Sequence, residues 1–523
     1  MSGGSHGPLR FLTVGDVPGY FAARELAEEA PILSDGRRAV TWRDIDQNSS
    51  RMAGALQNSG LQPGNKMGVL LPNCSEYVEI LFAVAKVGLT IVPLSGRSPA
   101  AEVKRALEFA EAKALVTASQ YQDVTASALE DLPSIPPTAV WTIDEGPWAA
   151  YGEAIESKPE RFTPIEIDEE STFWMPFTSG TTGTPKAPMV SHRALVEHWR
   201  IAIHEFDLSR KDRMLIAAPF YHSLGFIMGL SALFAGGRLV IHREFEPAAV
   251  LRTIEQESVT VTPLVPTMCA MLITASERGD HDYSSLRAVI SAGSPLITST
   301  KEAILDLFPD TDLYELYAST EMGIVSVLGP KDQRRKVGSV GLPALGTSLR
   351  LLDDAGQEVP LGKPGEIHKR GALLAAKYFK NPVATKAADH DGWFASGDIG
   401  RFDEDGYLWV VDRKTDMIVT GGANVFPTEI EEVISRHDAV LEVAVIGVPD
   451  ESWGESVTAV IVPRPGRTVS PDEILTLCSQ ELAHYKKPQQ IEFVSELPKS
   501  DTGKILKRKL RDAYLKEHHV RVQ

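Results

Sequence analysis

The residues best suited to chemistry in this chain are Phe177-Thr178-Ser179-Gly180-Thr181-Thr182-Gly183-Thr184-Pro185-Lys186. A run of glycine and hydroxyl residues closed by a lysine suits phosphate. Its backbone N–H groups and hydroxyls can converge on oxyanions, and Lys186 adds a mobile positive charge. The run departs from the Walker A loop, because Pro185 rather than glycine precedes the lysine and Ala187 rather than serine or threonine follows it. A kinase-type phosphate loop is therefore not expected. Taken alone, such a run also reads as a flexible linker, so its meaning depends on the rest of the chain.

The rest supplies ordered companions: Tyr317-Ala318-Ser319-Thr320-Glu321, Gly365-Glu366-Ile367, Trp393-Phe394-Ala395-Ser396-Gly397-Asp398, Asp412-Arg413, Gly421-Gly422-Ala423-Asn424-Val425-Phe426-Pro427 and Pro498-Lys499-Ser500-Asp501-Thr502-Gly503-Lys504. In this order they resemble the adenylate-forming superfamily of acyl-CoA synthetases, luciferases and nonribosomal-peptide adenylation domains, closest in pattern to the acid:CoA ligases. The resemblance covers nearly the whole chain. It implies a ligase that joins a carboxylic acid to CoA through an acyl-AMP intermediate, releasing pyrophosphate and then AMP.

Adenylation brings a carboxylate to the α-phosphorus of ATP although both are anionic, so the site must cancel negative charge. The resemblance implies that Thr178, Ser179, Gly180, Thr181, Thr182, Gly183 and Lys186 hold the β- and γ-phosphates. Thr320 then meets the α-phosphate and Glu321 binds Mg²⁺, a hard ion that suits one carboxylate plus phosphate oxygens. Tyr317 would stack on adenine, with Gly293, Ser294 and Pro295 as the opposite wall and Ala318 at the floor of the acyl pocket. Asp398 would accept hydrogen bonds from both ribose hydroxyls, as an acceptor-only carboxylate can, with Arg413 as a second ribose contact. Lys504 would bridge the attacking carboxylate and the α-phosphate. His222, within Pro219-Phe220-Tyr221-His222, would lie beside the carboxylate as a gate and orienting group. Gly421 and Gly422 would let the pantetheine arm of CoA approach closely.

Considered singly, Tyr317 reads as a core aromatic, Asp398 as a turn residue, His222 as a packed histidine, and Glu321 and Lys504 as solvated charges. Their order behind the phosphate loop carries the assignment. The sequence departs from the family at Ala318, where most relatives have glycine, and at Thr415, where lysine or aspartate is common. No cysteine falls in a motif and no Ser-His-Asp set is apparent, so the acyl acceptor must come from outside. CoA leads, with an amine or a carrier-protein thiol as alternatives. A catalytically silent nucleotide-binding module is the non-enzymatic alternative, but joint retention of Lys504, Glu321 and Asp398 argues against it. The pocket is expected from Tyr221 to Phe226, Val265 to Met268 and Tyr317 to Ile324. That lining is mostly apolar with no evident acid for an amino group, which favours an aromatic or aliphatic acid.

The elements that must position these residues read as α/β. Lys66 to Leu71 is a short apolar run, Glu76 to Lys86 has helical spacing and Leu89 to Leu94 is a second run, the rhythm of a parallel sheet with crossover helices. A helix over Ala101 to Ala112 and a strand over Ala114 to Thr117 come next. After the phosphate loop the pattern predicts strand Gly237 to Ile241, helix Ala248 to Gln256 and strand Val259 to Thr262. From Gln333 to Tyr407 short strands alternate with turns such as Gly362-Lys363-Pro364-Gly365, predicting a small β-barrel or distorted sheet. After Arg413 come helix Pro427 to Arg436, strands Glu442 to Val448 and Val457 to Val462, and a helix opened by Ser470-Pro471-Asp472-Glu473, a capping box with proline at N1. A basic helix runs from Ile505 to Lys516. The expected organisation is thus an ATP- and acid-binding domain over 1–413 and a small mobile α+β lid over 414–523, hinged at Lys414-Thr415.

The chain has 523 residues, 43% of them hydrophobic, enough for more than one core. Its net charge of −17 speaks against a nucleic-acid or anionic-membrane surface. Cys74, Cys269 and Cys478 are odd in number and widely spaced, as suits packing residues in a reducing compartment. Met1 to Arg10 lacks a secretory pattern, making a cytoplasmic monomer or homodimer the expectation. The most apolar window, Leu215 to Ile241, is broken by Pro219, His222, Ser223 and several glycines. It is expected as strands and loops around a buried pocket rather than as a stable membrane insertion.

Overall fold

Short apolar runs alternating with amphipathic helices pack here as parallel strands covered by their crossover helices. The computed structural model describes residues 13–24, 30–156, 162–178, 186–375, 377–450, 452–499 and 505–517. Met1 to Arg10, Ser179 to Pro185 and Ser500 to Lys504 lie outside the described residues. The strands Lys66–Leu70, Thr90–Pro93 and Ala112–Thr117 are parallel neighbours, with Ser75–Lys86 and Ala100–Ala110 as the intervening helices. The expectations hold to within two residues at each boundary. They also hold for Arg238–Ile241, Pro247–Gln256 and Val261–Leu264.

Among the described residues these strands belong to two large sheets, one of eight strands and one of nine. Between them runs a continuous apolar core in which Ser75–Lys86 is buried along its whole length. Polar groups in that core are matched. Glu79 accepts two 3.0 Å bonds from the Arg38 guanidinium, 2.7 Å from the Tyr151 hydroxyl and 2.8 Å from Asn48, as a buried carboxylate requires.

One expectation is corrected. Within Leu215 to Ile241, read as strands and loops, residues Ser223–Phe234 form a helix between the strands Arg213–Ile216 and Arg238–Ile241. Gly225 to Leu233 are all buried. A helix that is apolar on every side shows no 3.6-residue alternation, so the signal that marks surface helices is missing. At twelve residues it is too short to span a bilayer. Among the described residues no helix is long and apolar enough to cross a membrane.

The segment read as a barrel or distorted sheet takes the second form. Thr347–Leu352, Gly365–Gly371, Trp393–Phe402 and Asp389–His390 make an antiparallel sheet, and Leu408–Arg413 pairs with Trp393–Phe402 off that path. Register shifts at Glu366/His368 and Ile399/Gly400 bend it. A fourth sheet contains Ile418–Thr420, Ala423–Val425, Val440–Asp450, Gly454–Pro463 and Gln490–Phe493. It has its own core with the helices Pro427–Ser435 and Pro471–Glu481. The latter starts with the expected capping box, the Ser470 hydroxyl accepting from Glu473 N–H and the Glu473 carboxylate from Ser470 N–H. Cys74, Cys269 and Cys478 are free and buried in three different cores. Burial pushes the Cys269 thiol up to about 12 and Cys478 to about 11, so they pack rather than react.

Candidate active site

Four neighbouring strands of the nine-stranded sheet, Arg213–Ile216, Val261–Leu264, Ala288–Ala292 and Asp312–Ser319, are mutually parallel. Their carboxyl ends therefore lie along one edge. The segments leaving that edge are Pro219 to His222, Val265 to Met268, Gly293 to Pro295 and Thr320-Glu321. Four separate readings of the sequence thus converge where open α/β sheets bind ligands. Gly293 has φ of +97°, which a side chain would disfavour. The turn leaving Ala292 needs it.

Thr178 and Lys186 form an isolated antiparallel bridge, with backbone bonds of 2.8 and 3.2 Å. The two ends of the phosphate run are therefore held side by side, while Ser179, Gly180, Thr181, Thr182 and Gly183 lie outside the described residues. The Thr178 end meets Glu321, whose Oε1 accepts from the Thr178 hydroxyl at 3.2 Å and from the Tyr378 hydroxyl at 3.2 Å. Lys186 Nζ lies 5.1 Å from the centre of the Tyr378 ring, a cation–π geometry. Tyr378 arrives because Lys377–Tyr378 adds to the edge of the eight-stranded sheet beside Pro188–Ser191. Burial and the Glu321 carboxylate push its phenol well above the usual range. No sequence motif singled out Tyr378, since its role comes from a strand pairing distant in the chain. The arrangement fits magnesium as a hard ion beside one carboxylate. Among the described residues no group of three or more His, Cys, Asp or Glu gathers to cage a metal.

Tyr317, Asp398 and Arg413 are also brought together. The Tyr317 hydroxyl donates to Asp398 Oδ2 at 2.6 Å, and Arg413 Nε is 3.4 Å from Asp398 Oδ1. Asp398 and Arg413 are directly opposed in the antiparallel pair Trp393–Phe402 and Leu408–Arg413. Burial, then the Asp398 charge, raises the Tyr317 phenol well above its ordinary value, so it stays a donor. The Tyr317–Asp398 bond links the bent sheet to the nine-stranded one. A carboxylate has lone pairs beyond those two contacts. Ala318, at the register shift after Tyr317, is exposed.

His222 is the N-cap residue of Ser223–Phe234. A Cβ on Gly225 would come within 2.5 Å of the Ala218 carbonyl oxygen, so only glycine lets the helix turn back this tightly over the loop. Asn73, which the sequence did not single out, staples the same loop. Its amide donates to the Ala218 and His242 carbonyls at 2.9 and 3.1 Å, and its oxygen accepts from Phe220 N–H at 2.7 Å.

Behind Glu321 lies a buried pair also missed from sequence. Lys369, fully buried in Gly365–Gly371, donates to the carbonyls of Met322 and Ile324, the latter at 2.6 Å. His198 Nε2 accepts the Ile324 N–H at 3.0 Å, which places the ring proton on Nδ1. Burial, then the Lys369 charge, lowers His198 to about 3, and burial alone lowers Lys369 to about 7. The ordinary lysine value is 10.5. Between about 7 and 10.5 the unfolded chain holds a proton that the folded protein lacks, so stability rises with pH in that window and is lost as pH falls toward 7. The expected result is that the parent gains stability relative to Lys369→Met as pH rises from about 7 to about 9.5, by up to about 1.4 kcal/mol per pH unit. Melting temperatures of both proteins across that range check it, and a pH-independent gap refutes it.

Gly421 and Gly422 have φ of +57° and +80° and form the turn between Ile418–Thr420 and Ala423–Val425. Positive φ at both positions is what such a two-residue hairpin requires, so the turn by itself accounts for the pair. A Cβ on Gly421 would meet the Trp453 ring at 2.9 Å, whereas the space beside Gly422 is open. Lys504 lies outside the described residues; the residues flanking its segment are paired, by the Lys499–Ile505 bridge and a 2.8 Å bond from Leu506 N–H to the Pro498 carbonyl. Lys499 pairs with Glu442, and Lys507 with Glu431 at 2.7 Å.

The chain belongs to the AMP-binding enzymes, the adenylate-forming class that includes AMP-forming acyl-CoA synthetases: residues 21–379 match that family and residues 429–504 match the AMP-binding enzyme C-terminal domain. It is similar to the feruloyl-CoA synthase of an Amycolatopsis species, 35% identical over 93% of this chain and 96% of that protein. Among solved structures it is similar to ATP-bound MatB from Rhodopseudomonas palustris, with a TM-score of 0.88, 28% identity and coverage of 96% and 99% of the two chains. It also resembles the amide bond synthetase McbA from Marinactinospora thermotolerans, with a TM-score of 0.86, 28% identity and coverage of 95% and 100%.

Proposed function

We propose that the protein is an ATP-dependent acid:CoA ligase. The acid carboxylate attacks the α-phosphorus of ATP, expelling pyrophosphate, and the CoA thiol then attacks the acyl carbon of the acyl-AMP, expelling AMP. The observation that carries this reading is the placement of Glu321. It is hydrogen-bonded to the base of the phosphate loop through Thr178 and follows the strand that presents Tyr317 to Asp398. One turn thus joins the phosphate end of a nucleotide site to its ribose end.

In this reading Lys186 and the 178–186 loop hold the β- and γ-phosphates, Thr320 the α-phosphate and Asp398 with Arg413 the ribose. Glu321 would hold Mg²⁺, which when bound offsets phosphate charge. Tyr317 and Gly293 to Pro295 flank adenine, and His222 orients the carboxylate. Residues 1–413 hold ATP and acid, while 414–523 form a mobile lid that delivers Lys504 for the first step and Gly421-Gly422 for the second. An apolar, aromatic or aliphatic acid fits the loops at the sheet edge, and the similarity to a feruloyl-CoA synthase supports an aromatic one.

The amide bond synthetase likeness favours a second reading in which an amine accepts the acyl group, since an open space beside Gly422 serves any slender nucleophile. Pyrophosphate release with ATP, Mg²⁺ and a panel of aryl, short, medium and long-chain acids, with and without CoA, tests both. Sustained turnover that needs CoA and yields acyl-CoA is expected. Turnover limited to about one equivalent with CoA but restored by an amine or a carrier protein overturns the choice of acceptor.

A further inference from the structure

The turn that carries Thr320 and Glu321 is held from several sides. Met322 N–H donates to the Ser319 hydroxyl at 3.1 Å, and Ala375 N–H donates to the Glu321 carbonyl at 2.8 Å. The next residue, Gly323, has φ of +67°. A Cβ there would lie 2.4 Å from His198 Nε2 and 2.8 Å from Leu373 Cβ, so the backbone passes against the histidine ring with no room for a side chain. The backbone on either side of this glycine ends on buried side chains: the carbonyls of Met322 and Ile324 on Lys369, and the N–H of Ile324 on His198.

A lysine is an expensive way to fill an inward position of a strand. Lys369 is fully buried, and among the described residues no carboxylate pairs with it. An apolar side chain would fill the same position without burying an amine, but it would leave two buried carbonyls without donors. What Lys369 adds is two N–H groups aimed at both sides of Gly323. His198 supplies the complementary acceptor from the helix His192–Glu205. Two elements far apart in sequence thus grip the backbone on both sides of Gly323, and hold Ile324 by its N–H and its carbonyl together.

We propose that Lys369 and His198 are positioning residues for adenylation, forming a clamp on the Met322 and Ile324 backbone either side of Gly323 that fixes the direction in which Thr320 and Glu321 leave the sheet. The clamp rests on the roles given above to those two residues. Its loss tilts the turn and displaces the Glu321 carboxylate, while the acid site and the acceptor site keep their own supports.

The test compares the parent with Lys369→Met, His198→Leu and His198→Gln, the last keeping an acceptor near the Nε2 position. In Lys369→Met and His198→Leu the rate constant for pyrophosphate release falls about tenfold to a hundredfold, the penalty typical of a misplaced catalytic group. The Mg²⁺ concentration for half-maximal rate rises several-fold. KM for the acid and thioester formation from supplied acyl-AMP stay within about threefold, and His198→Gln stays near the parent. Unchanged rate and Mg²⁺ dependence in folded variants overturn the clamp. So does an equal fall in every parameter, including the reaction of supplied acyl-AMP. If the parent releases no pyrophosphate with any acid, the functional reading fails, and the clamp is judged by the rise in melting temperature on adding ATP and Mg²⁺. Loss of that rise in Lys369→Met and His198→Leu with retention in His198→Gln supports it, and an equal rise in all four overturns it.

Discussion

Replacing Lys504 with alanine is expected to remove nearly all acyl-adenylate formation while sparing thioester formation from supplied acyl-AMP. The residues flanking its segment are held by the Lys499–Ile505 bridge and by the Lys499–Glu442 and Lys507–Glu431 pairs. The Lys504 ammonium would meet the charge that grows between the carboxylate and the α-phosphate, and a preorganised contact of that kind is worth ~10²–10³ in rate, or roughly 3–4 kcal/mol. The second step needs no such neutralisation, because the acyl-AMP already exists. Pyrophosphate release and acyl-CoA formation measured separately decide the matter. Equal loss of both half-reactions would refute the assignment.

The second large effect is expected at Asp398. Substitution by alanine strips the acceptor from the Tyr317 hydroxyl at 2.6 Å and the partner from Arg413 at 3.4 Å. In the proposed complex it also strips the acceptor from the ribose. Hydrogen bonds to a charged group contribute ~1.5–3 kcal/mol each, so KM for ATP should rise about tenfold to a hundredfold, more than kcat falls. Asp398→Asn, which keeps one carbonyl acceptor, should lie between the two. Steady-state pyrophosphate release at varied ATP measures this, and a KM within about twofold of the parent for Asp398→Ala contradicts a ribose role. Because the Tyr317–Asp398 bond also joins two sheets, a lower melting temperature is expected to accompany the kinetic change.

The parts of the fold that were legible in sequence are those governed by local rules. Lys66 to Leu71 and Ala114 to Thr117 read as strands because they are short apolar runs between helical patterns, and the strands lie at Lys66–Leu70 and Ala112–Thr117. Ser470 to Glu473 read as a helix start because a cap bonds within four residues. The helix Ser223–Phe234 was misread because burial on every side erases the period that reveals helices. The barrel-or-sheet choice over Gln333 to Tyr407 stayed open because register shifts, not composition, bend that sheet.

For the site, the chain's order alone settles which residue types are present and in what succession: the hydroxyl-rich run with Lys186, the Thr320-Glu321 pair, Asp398 and Lys504. Order along a chain carries chemistry when short motifs each do one local job. Which of them touch, and what holds them, follows from how the chain folds. Thr178 reaches Glu321 across 143 positions and Tyr317 reaches Asp398 across 81. Tyr378, Asn73, His198 and Lys369 belong to no motif. They matter because strand pairing and helix packing bring a hydroxyl against the Glu321 carboxylate, and an amide, an imidazole and an amine against backbone groups far away in the chain. Such matching depends on three-dimensional closure, which no local spacing encodes.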